Sequence, residues 1–97
     1  MTFSLDMPTD AKRYARSPDF NHQTVPEKLL SEHNLKAGTW GMLCVDKGEV
    51  RYFRAGCDTP DVILRSGDLH VIPTQQMHFI QVGENAKFYI EFWRVLK

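Results

Sequence analysis

The stretch GDLHVIPTQQMHFIQV, Gly67 to Val82, holds the residues with the clearest chemical potential. Pro73 cannot donate to a strand ladder and so ends one strand. The polar Thr74-Gln75-Gln76 reverses the chain, and His78 then opens the next strand at a rim. A histidine placed there can aim a ring nitrogen inward, where neutral imidazole is a ligand for zinc, iron, nickel or copper. The competing reading is a core or surface ring with satisfied hydrogen bonds. That second reading is adopted for His22, in a polar loop, and for His70, which alternates with Leu69 and Val71. Both are expected to face solvent or to be hydrogen-bonded. Trp40 and Trp93 can stack over a ligand or can anchor a core or an interface. Lys36 and Arg51 can draw an anion toward a cavity or stand as solvated charge.

Several function classes are excluded by what the chain lacks. It has no glycine-rich phosphate loop, dinucleotide fingerprint, HExxH or GxSxG, so no nucleotide cofactor is expected. Acidic and basic side chains balance at 12 each, which removes the electrostatic footprint of a nucleic-acid binder. The apolar runs are too short to span a bilayer, and the start has no basic cluster followed by an apolar core. A cytoplasmic protein with no membrane partner is expected. Cys44 and Cys57 have no CxxC spacing and read as reduced, with Cys44 a small buried hydrophobe in its strand.

The elements that must position His78 are short β-type runs separated by turn residues, a pattern that favours a sandwich or barrel over βαβ units. The runs are residues 39–45, 49–54, 61–64, 69–72, 77–82 and 87–95, with a further edge strand over 12–16. Asp46-Lys47-Gly48 reads as a tight hairpin joining the first two, Gly48 supplying positive φ. Along the last run Phe88, Ile90 and Phe92 share one face, while Tyr89, Glu91 and Trp93 share the other. The second of these faces can line a cavity or form a dimer contact. Between Val25 and His33 two readings stay open: one helical turn introduced by Pro26, or a strand ending near His33. The 97 residues suit one domain, with residues 1–11 loosely ordered.

With glycine, proline six residues later and histidine five beyond, Gly67-Pro73-His78 resembles the second cupin motif. Gln75 departs from it where a second glycine is usual, and Val82 where asparagine is frequent. The stretch EHNLKAGTWGMLCVDKGEVRYF, with the early SPDFNHQTVP and the terminal IEFWR, resembles the TehB/YeaR-like family of small cupins associated by name with tellurite resistance. The likeness runs from about Arg13 to Arg94. It implies an all-β, RmlC-like jelly roll or β-barrel, to which the segment after Pro26 can add one short helical turn near the N-terminus. It also implies that His33 and His78 form an inward-facing pair. The first cupin motif is depleted here, because only His33 stands where two histidines and a glutamate are usual, and Trp40 lies close to the glutamate's place.

Glu91 is the candidate third ligand to a divalent transition metal such as zinc, iron or nickel, with Trp40, Tyr89 and Trp93 around the pocket. Glu91 can instead pair with Arg51, Arg54 or Arg94. Two histidines and a carboxylate would leave open metal positions for water or an oxyanion. The leading expectation is therefore a module that binds a small molecule, a metal or an oxyanion in stress tolerance of the tellurite type. A small metal-dependent enzyme, dioxygenase- or isomerase-like, is the alternative. A purely architectural dimer is the third reading, and a homodimer is compatible with all three.

Overall fold

The computed structural model describes residues 7–95. Strand β1 spans Ala11–Arg16 and β2 Phe20–Asn21; a single helical turn, α1, covers Glu27–Leu30. Then follow β3 Thr39–Lys47, β4 Val50–Arg54, β5 Val62–Leu64, β6 Leu69–Ile72, β7 His78–Val82 and β8 Lys87–Val95. The alternating apolar positions explain this nearly all-β outcome, because each strand needs only one buried face.

Two antiparallel sheets result. The larger runs β1-β8-β3-β6, with β2 also paired to β8, and the smaller runs β5-β4-β7. Leu43, Val45, Ile72, Phe88 and Ile90 from the larger sheet meet Val50, Tyr52, Leu64 and Ile80 from the smaller in one core. The sheets do not close into a barrel, so the expected closed barrel is corrected to two open sheets. No helix among the described residues is long and apolar enough to cross a membrane.

The hairpin expected at Asp46-Lys47-Gly48 is also corrected. Its two strands enter different sheets: β3 pairs with β6 and β8, and β4 with β5 and β7. The backbone requirement was read rightly, since Gly48 has φ +74°, but its function is to carry the chain across the core. A side chain there would meet the Ala86 backbone at 2.5 Å. Turn residues fix local backbone handedness and leave the choice of partner strand to burial.

At the N-terminal end, residues 1–6 of the segment expected to be loose lie outside the described residues. Ala11, by contrast, is buried and opens β1, its N–H donating to the Pro8 carbonyl at 3.0 Å. Both readings of the Val25–His33 segment are partly realised. Pro26 precedes the helical turn, whose Leu29 packs on the core. His33 then forms an isolated antiparallel bridge with His78.

Candidate functional site

That bridge builds the site. The His33 N–H donates to the His78 carbonyl at 3.0 Å, and the His78 N–H donates back to the His33 carbonyl at 2.9 Å. Residues directly opposite in an antiparallel bridge project to the same face, so two imidazoles 45 positions apart are brought side by side. Their ring centroids lie 4.2 Å apart at an interplanar angle of 59°. The turn before β7 sets up this register: Gln75 adopts φ +62° and donates its N–H to the Leu35 carbonyl at 2.9 Å. Gln75 thus takes the left-handed conformation for which glycine is the easier residue, at the position where the cupin motif has one.

Each ring is held in the same way. The Nδ1 of His33 lies 2.9 Å from the Ser31 carbonyl, and the Nδ1 of His78 lies 2.8 Å from the Gln76 carbonyl. A carbonyl only accepts, so both Nδ1 atoms carry a proton, and in its neutral form each ring presents Nε2 as a lone pair. His78 is 2% exposed. Burial, with a smaller contribution from His33 and His70, pushes its imidazole down to about 4 against the opposing Gln76 hydrogen bond. At neutral pH His78 is therefore an uncharged acceptor or metal donor.

The two rings stand at one end of a cavity of about 460 Å³ between the sheets, roofed by α1 and the segment that follows it. Phe20, Leu29, Leu35, Ile72, Ile90 and Phe92 make its wall, and Ser17, Lys28 and Asn34 add polar groups. A mostly apolar concavity with a few polar atoms at one end is the usual form of a small-ligand site.

Behind His78 lie residues that the sequence did not single out. Tyr52 is fully buried, stacks on His78 at 5.1 Å and donates its hydroxyl to Gln76 Oε1 at 2.6 Å. His70 packs on the other side of Tyr52, with centroids 4.4 Å apart. The expectation that His70 faces solvent or is simply hydrogen-bonded is revised: it shares the inner face with Ile72, opposite Leu43, and burial lowers its pKa. The signal was present in the two-residue alternation with Ile72, but the apolar Leu69 and Val71 masked it by suggesting that they were the buried pair.

The structure does not bring Glu91 to the histidines. Phe88, Ile90 and Phe92 point into the core, so alternation turns Glu91 to the opposite face of the sheet. There it pairs with Arg13 at 3.0 Å and accepts from the Trp93 Nε1–H at 3.3 Å. Arg13 takes the place of the expected partners Arg51, Arg54 and Arg94. Trp40, Tyr89 and Trp93 share that outer face and do not line the cavity: Trp40 is opposite Trp93, and Tyr89 is opposite Cys44. Cys44 is buried as expected, and burial pushes its thiol up. Among the described residues, no group of three or more His, Cys, Asp or Glu side chains is placed to hold a metal ion.

Residues 15–90 match the TehB-like domain. The chain belongs to the TehB-like family. Two solved structures share its fold. One is a protein of E. coli strain K12, with TM-score 0.84 and 24% identity over 97% of this chain and 100% of that one. The other is TehB from Haemophilus influenzae, with TM-score 0.78 and 22% identity over 92% of this chain and 33% of that one. The chain thus spans about a third of that TehB. No curated protein matches the chain. The TehB-like family is linked by name to tellurite resistance.

Proposed function

We propose that this TehB-like chain is a cupin-type small-ligand-binding module whose cavity takes a divalent transition metal at His33 and His78, the ion in turn receiving an oxyanion. The reading rests on the paired Nδ1–carbonyl hydrogen bonds, which orient both rings and make Nε2 the lone-pair atom of each neutral imidazole. Such outer hydrogen bonds fix tautomer and ring direction in metal-binding histidines. Zinc, nickel and iron all accept imidazole.

Neutral imidazole nitrogens of this tautomer offer no proton to an oxyanion. A cation standing between them reconciles the link to tellurite with the chemistry of the pair. His33 and His78 would hold that cation, and it would supply positive charge and open positions for oxygen ligands. With two side-chain donors and no third among the described residues, the remaining positions would belong to water or ligand. That favours binding over the dioxygenase- or isomerase-like alternative, for which Glu91 on the other face offers no support.

The test is thermal unfolding of chelator-treated protein with zinc, nickel or iron(II), each with and without tellurite. An ion at about 100 times its dissociation constant stabilises by roughly 2.7 kcal/mol, a readable rise in Tm. His33→Ala, the less buried of the pair, should abolish that rise, and tellurite should add to it only when the ion is present. A full metal response in His33→Ala, or a tellurite response without metal, contradicts the reading.

A further inference from the structure

The outer face of the larger sheet is the second feature of the molecule that calls for a partner. On β3, β6 and β8 it carries Trp40, Met42, Leu69, Val71, Tyr89 and Trp93, paired by register as Trp40 with Trp93, Met42 with Glu91 and Val71, and Leu69 with Cys44. Leu69 is 63% exposed. An antiparallel sheet ordinarily buries one face and presents a polar one to water. This sheet presents an apolar and aromatic surface on both sides, and no described element packs over the outer one.

We propose that this face is the interface of a homodimer, two copies packing sheet to sheet about a two-fold axis. Charge supports a second copy over a charged partner. The one carboxylate in the middle of the face, Glu91, is already matched by Arg13 and by the Trp93 indole N–H, and its side chain is 17% exposed. Arg16 lies over the Tyr89 ring at 3.8 Å and pairs with Asp19. Lys87, on the same face, shares Asp19 at 3.6 Å, so each of these charges already has a partner of opposite sign within the chain, and the pairing favours a second copy over a strongly charged partner.

Strands of six, nine, nine and four residues give a planar footprint of roughly 440 Å² before side-chain relief is counted, which places the face at the small end of interfaces whose standard is about 800 Å² of accessible surface per partner. A twisted sheet stacks on its own copy through one self-complementary patch, the isologous arrangement of two-fold dimers.

Both tryptophans of the chain lie on this face, so intrinsic fluorescence reports directly on its burial. The experiment is sedimentation velocity with parallel acrylamide quenching over protein concentrations up to about 100 μM, on the full chain and on Leu69→Lys and Met42→Lys. The wild type should sediment at twice the chain mass, with quenching that weakens as concentration rises. Leu69→Lys, at a solvent-exposed position that folding does not need, should shift the equilibrium to monomer by at least tenfold and restore quenching. Met42→Lys, nearer the middle, should do so more strongly. A monomer at every concentration overturns the proposal, whether its tryptophans are open or shielded by the chain itself. A dimer whose quenching and stability are the same in both lysine variants also overturns it, by placing the interface elsewhere.

Discussion

Two faces of one strand divide the molecule. The inward side of β8, with Phe88, Ile90 and Phe92, closes the core and the cavity wall, while its outward side, with Tyr89, Glu91 and Trp93, lies among arginines and a second tryptophan. Both sides mix rings with polar atoms, yet only the inner side shares a compartment with an unpaired chemical function, the free nitrogens of His33 and His78. The polar groups outside are already matched to one another. Residue types alone do not separate a site from a satisfied surface; the parity of the strand does.

The largest expected effect is a contrast between neighbours across that parity. Ile90→Ala should lower unfolding free energy in urea by about 3 kcal/mol through lost burial and a residual cavity. Glu91→Ala, one residue on, should cost about 1 kcal/mol or less, because the Arg13 side of its ion pair is more than half exposed. Similar losses at both positions would mean that the faces are not distinct.

Acid should act on the inner face in the same sense. His78 is neutral in both folded and unfolded states above its ordinary value of 6.5. Between that value and about 4 only the unfolded chain takes the proton. Stability of metal-free protein should therefore fall as pH drops through this window, by up to about 3 kcal/mol, and lose nothing more from this group below it. In His78→Gln the remaining loss should be correspondingly smaller; an unchanged pH slope would show that His78 is not buried in its neutral form.

A smaller effect comes from the turn that sets the histidine register. Gln75→Gly should stabilise by less than about 1 kcal/mol, relief of the left-handed backbone being partly offset by a freer unfolded chain. Clear destabilisation in thermal unfolding would show that the Gln75 side chain, and not the backbone alone, holds the turn.

Much of this was legible beforehand. The strands at 69–72 and 87–95 have the expected bounds, and the proline spacing led to His78 because proline ends a strand wherever it falls. The partner of β3 was not legible: Gly48 announces a left-handed backbone but says nothing about which sheet the next strand joins. Glu91 was misplaced because a carboxylate among aromatic rings looks alike on either face. His70 was missed because its neighbours Leu69 and Val71 are apolar, although they face outward. The bridge between His33 and His78 depended on pairing across 45 residues, which no local pattern encodes.

The most direct test of the central claim is a long-range proton–nitrogen NMR correlation of the imidazoles in metal-free protein at neutral pH, repeated with added zinc. Nδ1–H tautomers are expected for both His33 and His78, with the Nε2 resonances of both rings, and of neither His22 nor His70, moving when the ion is added. Nε2–H tautomers in the pair, or rings that ignore zinc, would contradict it.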